Sequence, residues 1–107
     1  MKKYLIFIEK SGQINKRFEL GDREIKLLDL VGKSHYTDVP VFVFDLISRR
    51  EIGSQATLHA TLKKLINKKL FCFKPYEADG RRKIITLTSR ALERYKQLDI
   101  ALMNKRL

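Results

Sequence analysis

Apolar residues fall into three patterns along the chain. Residues 4–9 begin with the run Tyr4-Leu5-Ile6-Phe7-Ile8, whose aromatic and β-branched side chains predict a short strand closed by Ser11-Gly12. From Asp22 the spacing turns helical. Ile25, Leu27, Leu28 and Val31 share one face, Asp22 can cap the start, and Gly32 falls near the stop. Residues 32–38 read as a polar loop with His35 and Tyr36. A second helix is expected from Val39-Pro40, capped by Asp38 and apolar almost all round through Val41, Phe42, Val43, Phe44, Leu46 and Ile47. An extended segment over 41–44 competes with it, because β-branched and aromatic residues dominate there.

Ser48-Arg49-Arg50-Glu51-Ile52-Gly53 reads as a turn in which Ile52 plugs the gap between helices. Ser54 carries the oxygen that can accept from a free amide in a first helical turn, which makes it the N-cap of a helix over 55–67. Leu58, Leu62, Leu65 and Ile66 form the buried stripe of that helix. Rotation by about 100° per residue puts Ala56, Thr57, Ala60, Lys63, Lys64 and Asn67 on the far side, with Gln55, His59 and Thr61 nearer the flanks. The outer face is small and hydrogen-bonding at its start and cationic at its end. A helix in a DNA major groove needs that division: bulk in the first turn would hold the backbone away from base edges, while later lysines reach phosphates. An amphipathic surface helix with a solvated lysine face would show the same stripe.

Beyond this helix the period changes to two. Leu70-Phe71-Cys72-Phe73-Lys74 and Lys83-Ile84-Ile85-Thr86-Leu87 read as paired strands, with Phe71, Phe73, Ile85 and Leu87 inward. Residues 75–82 form the loop between them, holding Asp79-Gly80-Arg81-Arg82. Thr88 or Ser89 caps a last helix with a stripe of Leu92, Tyr95, Leu98 and Leu102, either a dimerisation surface or a cover for the domain. The fold class is therefore α+β, mainly α: a winged helix-turn-helix with a three-helix core, a two-stranded β-hairpin wing and a C-terminal helix. One domain over 1–107 is expected, with 1–21 as strand and loop, 22–88 as core and 89–107 as terminal helix.

Charge sharpens the picture. The chain carries a formal +11, and it is lopsided: residues 1–48 hold eight Lys and Arg against seven Asp and Glu, residues 49–107 fifteen against five. The positive charge thus sits with the capped helix and the basic loop, the footprint of a nucleic-acid face. A lone cysteine, Cys72, allows no internal disulfide and reads as a small core residue in a reducing compartment. With His35 and His59 it shows no paired metal-ligand spacing, and His59 is equally suited to DNA or to open surface. No metal or cofactor is expected. No phosphate loop, nucleophile elbow or catalytic carboxylate pair appears, so an enzyme is not expected. No stretch could span a bilayer, and a cytoplasmic location is expected.

Ser54-Gln55-Ala56-Thr57-Leu58, Leu62, Leu65, Leu70-Phe71, Asp79-Gly80-Arg81-Arg82 and Ile85-Thr86-Leu87-Thr88 follow one another in an order that resembles the DNA-binding lobe of the multiple-antibiotic-resistance-regulator (MarR) family. The resemblance covers residues 39–95. It implies a recognition helix over 54–67 in the major groove, Arg81 of the wing in the adjacent minor groove, Asp79 holding the wing in shape, and Arg82 and Lys83 adding phosphate contacts. Three departures stand out. Lys69 occupies a position where the family commonly has glycine, Ala60 one where arginine is frequent, and the terminal helices are fewer, so no effector pocket of the usual kind is expected. The implied function is sequence-specific double-stranded DNA binding by a small homodimeric transcriptional regulator, with DNA-binding residues Ser54, Gln55, Ala56, Thr57, His59, Ala60, Thr61, Lys63, Lys64, Arg81, Arg82 and Lys83. The alternatives are a phage or plasmid replication or partition factor, or an adaptor whose winged helix binds protein.

Overall fold

The computed structural model describes residues 2–103. Its first element overturns the expected strand: α1 spans Lys2–Arg17 as a continuous helix. Ile14 and Phe18 are buried and Phe7 packs against the same core, so a helically spaced face decides the conformation over the β-forming composition of its first residues. α1 lies against α5, which spans Ser89–Met103 at the other end of the chain.

α2 spans Asp22–Thr37 and begins one residue earlier than expected in its capping, at Gly21. The Gly21 N–H donates to Glu24 Oε1 at 3.1 Å, and Glu24 Oε2 lies 2.7 Å from Lys68 Nζ at the far end of the next long helix. Gly32 does not stop α2. It is buried under Tyr95, where a Cβ would come within 2.9 Å of the phenol oxygen, so its smallness serves a close approach of two helices. The helix instead ends at Asp38, which adopts a left-handed conformation (φ 59°) and donates its N–H to the Ser34 carbonyl. Asp38 therefore closes α2 and does not cap the helix that follows.

That helix, α3, is only Val43–Ile47. Residues 39–42 are extended ahead of it: Ile85 N–H donates to the Val41 carbonyl at 2.8 Å, and Phe42 bridges Ile84. The β-branched and aromatic residues here thus follow the extended alternative, lending the hairpin a short third edge. Leu46 and Ile47 are buried, while Phe44 faces out.

α4 spans Gln55–Asn67, as expected, with Ser54 Oγ accepting from Thr57 N–H at 3.2 Å. It closes on Lys69 in the left-handed region (φ 61°), with Lys69 N–H on the Ile66 carbonyl and Leu70 N–H on the Leu65 carbonyl. β1 (Phe71–Tyr76) and β2 (Asp79–Leu87) pair antiparallel, Phe71 opposite Leu87 and Phe73 opposite Ile85, and only Glu77 and Ala78 lie between them. The hairpin is longer and its loop shorter than expected. Phe71, Ile85 and Leu87 are buried, but Phe73, placed inward by the two-residue period, is 41% exposed: it lies on the outer strand, whereas its partner Ile85 is flanked on its other side by Val41.

Thr88 Oγ1 accepts from Ala91 N–H at 3.2 Å and so caps α5. The buried face of that helix is Ala91, Arg94 and Ala101, with Leu92, Tyr95 and Leu98 half-buried beside it. Arg94 is buried to 2% exposure with Nε on Asn15 Oδ1 of α1, and Leu102, expected in the stripe, is exposed. Residues 104–107 of the expected terminal helix lie outside the described residues. Leu27, Leu28, Val31, Leu46, Leu58, Leu62, Leu65, Leu70 and Phe71 form the centre of the core, drawn from α2, α3, α4 and the base of the hairpin. Among the described residues, no helix is long and apolar enough to cross a membrane.

Candidate nucleic-acid interface

α4 presents two unlike faces. Leu58, Leu62 and Leu65 fill the core, and Gln55, Ala56, His59, Ala60, Lys63 and Lys64 are exposed. Ser54 is exposed too, but its hydroxyl is engaged in the cap and also donates to Thr57 Oγ1 at 2.8 Å. Thr57 is half-buried. Thr61, assigned by rotation to a flank of the outer face, is a correction: it is 6% exposed and its hydroxyl donates to the Thr57 carbonyl at 2.9 Å. Packing of α2 against α4 leaves Thr61 at the floor of the space between them, with neither the exposure nor a free donor to reach a ligand. No bulky side chain stands on the first outer turn, so the backbone there is open to close approach.

The wing begins at Asp79, whose Oδ1 accepts from Arg81 N–H at 3.1 Å and lies 3.5 Å from Arg81 Nε. An aspartate bonded two residues ahead shapes a tight turn. The Arg81 side chain beyond it is 94% exposed. Arg82 behaves differently. Its guanidinium carbon sits 3.7 Å from the centroid of Phe42 and 6.0 Å from that of Tyr76, and the two rings meet edge to face. The adjacent arginines are thus divided, one projecting from the wing and one laid on the Phe42–Tyr76 pair. Lys83 is exposed on β2. Phe42 was not legible as a partner of Arg82, since the two are far apart in sequence. In the turn before α4, Arg49 and Glu51 pair loosely at 3.8 Å with both side chains exposed.

Other chemistry is sparse. Cys72 Sγ lies 3.0 Å from Thr86 Oγ1 within the hairpin. Burial raises the Tyr95 hydroxyl above its ordinary pKa, and the carboxylate of Asp29, whose Oδ1 accepts a hydrogen bond from it at 2.8 Å, adds to the effect.

No protein-family model matches the chain, and neither does any curated protein. Solved structures do. Staphylococcus aureus MepR bound to ethidium bromide aligns with a TM-score of 0.72 at 20% identity, over 89% of this chain and 66% of that one. The S. aureus MepR–DNA complex aligns at 0.71 and 22% identity, over 87% and 67%. The transcriptional regulator Tm0710 from Thermotoga maritima aligns at 0.70 and 15%, over 92% and 66%.

The fold is a MarR-like winged helix.

The chain spans just under two thirds of the ethidium-bound MepR structure. Within the MarR-like fold, α2, α3 and α4 are the helical core and β1–β2 is the wing. The capped α4 and the Asp79–Arg81 turn stand as its two projecting elements. α1 and α5 pack on one another and on the same core.

Proposed function

We propose that this protein binds double-stranded DNA in a sequence-specific manner and acts as a small transcriptional regulator, with α4 in the major groove and Arg81 in the adjacent minor groove. The observation that carries the reading is the pairing of a capped helix, small on its exposed first turn, with a wing arginine whose side chain is 94% exposed. Both lie in the half of the chain with the surplus of fifteen basic over five acidic residues. A guanidinium on a narrow turn suits the negative potential of a narrow minor groove. MepR, a protein of this fold, has been crystallised with DNA. In this reading Gln55, Ala56, His59 and Ala60 approach base edges, Thr57 supports them, and Lys63, Lys64 and Lys83 meet phosphates. Ser54 acts through the cap, Asp79 shapes the wing, and Arg82 anchors it.

The same reading makes the protein a homodimer. Tyr4, Leu5 and Ile8 on α1 and Ile100, Leu102 and Met103 on α5 expose large apolar side chains on the paired terminal helices, which support an interface between copies. A twofold dimer would set two recognition helices about 34 Å apart on an inverted repeat. Sedimentation at the monomer mass would remove this part.

Fluorescence anisotropy of a labelled duplex, titrated at several salt concentrations, tests the central claim. Steep weakening with salt in the parent, flattened in Arg81→Ala, is the expected result. No binding at low salt would overturn it. Sites mapped in cells at promoters would favour the regulator, and sites at an origin would favour a replication or partition role. The exposed Tyr36, Val39 and Phe44 around the start of α3 are the observation that favours the adaptor reading. Capture of a protein partner unaffected by loss of Arg81 and Arg82, with no DNA binding, would establish that reading instead.

A further inference from the structure

The first turn of α2 runs beside α4, and the two helices border an open groove of about 420 Å³. Arg23, Lys26 and Lys64 bring three positive charges to its walls, and Asp22 and Glu24 two negative ones. Glu24 is already satisfied, with Lys68 Nζ at 2.7 Å and the Gly21 N–H at 3.1 Å. The three cations therefore face only Asp22, an excess of two. None of the three has a carboxylate within ion-pair distance among the described residues.

Arg23 is held in a particular place. Its Nε donates to the Ile52 carbonyl at 3.4 Å and stands 3.4 Å from where a Cβ on Gly53 would lie, immediately before the cap of α4. One nitrogen is used there, and the rest of the fork remains for an oxyanion. Lys64 belongs to both surfaces, on the exposed side of α4 and on the groove wall. A polyanion that follows α4 therefore passes the groove.

We propose that this groove is a second seat for the DNA backbone, in which Arg23 and Lys26, with Lys64, bind phosphates beside the recognition helix and independently of the wing. The proposal rests on the DNA-binding reading above. A charged groove with Ile52 as its only large apolar wall suits a phosphodiester better than a lipophilic ligand.

The test is the salt dependence of duplex binding for the parent, Lys26→Gln, Arg23→Gln, Arg23→Lys and Arg81→Ala, each first checked by circular dichroism for an unchanged fold. Lys26→Gln and Arg23→Gln should each flatten the slope of log Kd against log salt by about 1, and together by about 2. Arg23→Lys, which keeps the charge, should restore the slope. A role confined to bracing the Ile52 carbonyl would leave the slope where it is, and Lys26→Gln disturbs no ion pair among the described residues. A slope that falls in Arg81→Ala but stays at the parent value in both glutamine variants would overturn the groove and leave the wing reading standing. A parent that fails to bind would overturn both.

Discussion

Arg82 lays its guanidinium on the face of Phe42, 3.7 Å from the ring centroid. Phe42 sits in the extended segment ahead of α3 and bridges Ile84, so the contact fastens the wing to the helical core from a second side. An exposed cation–π contact contributes about 0.5–1 kcal/mol. A double-mutant cycle on Arg82→Ala and Phe42→Ala, followed by urea unfolding, should show a coupling of that size. Simple additivity of the two losses would mean that the stacking adds nothing.

Lys69 holds φ at 61°, a region that L side chains enter at a cost of about 1–2 kcal/mol. Its carbonyl accepts from Thr88 Oγ1 at 2.6 Å, which helps keep the α4–β1 junction in this shape. Lys69→Gly relieves the strain but adds freedom to the unfolded chain, worth about 0.5–1 kcal/mol against it. The net expectation is a gain of roughly 0.5–1 kcal/mol in unfolding free energy. A loss of stability in the glycine variant would show that lysine makes a compensating contact at the junction.

The helix starts that could be read from the sequence are those with a side-chain cap, although on α5 the expected stripe gives way to Ala91, Arg94 and Ala101 as the buried face. Ser54 with Leu58, Leu62 and Leu65 defines α4 to the residue, and Thr88 opens α5 in the same way. The start of α1 resembles a strand because Tyr4-Leu5-Ile6-Phe7-Ile8 is β-forming by composition, whereas the buried Ile14, and Phe18 just beyond the helix end, come later. Asp38 could cap a following helix or close a preceding one, and only the left-handed backbone decides between them. At the candidate interface, helical rotation identifies the exposed face except at Thr57, which is half-buried, and at Thr61, on the border of the stripe, where packing of α2 covers the side chain. The place of Arg23 beside Gly53 comes from the crossing of two helices and has no signature in the local sequence.

Tyr95 joins α5 to α2 through Asp29 at 2.8 Å. Burial, then the Asp29 carboxylate, keeps the phenol protonated in the folded state to higher pH than in the unfolded chain. Its contribution is thus fully present below the ordinary tyrosine pKa of about 10. Above that pH the unfolded chain binds fewer protons than the folded one, so stability falls as pH rises. Tyr95→Phe should cost about 1 kcal/mol at about pH 8, with the gap to the parent narrowing by about pH 10.5. A gap that is constant across this range would mean that Tyr95 titrates alike in both states.

Gln55 and Arg81 should fail in different ways when removed, because a base contact and a groove-wide electrostatic contact carry different information. Gln55 is exposed on the first turn of α4 with its amide unengaged by any hydrogen bond among the described residues, whereas the neighbouring Thr57 hydroxyl already receives one from Ser54. On the proposed DNA-binding reading, Gln55 is therefore the better reader of a base edge. Once a preferred duplex has been selected, Gln55→Ala should lower the preference for it over a scrambled duplex by about 1–3 kcal/mol, with little change in salt slope. Arg81→Ala should weaken binding to both duplexes and flatten the slope for both. The two variants measured side by side separate recognition from attraction. Equal loss on both duplexes for Gln55→Ala would move base reading to another part of α4.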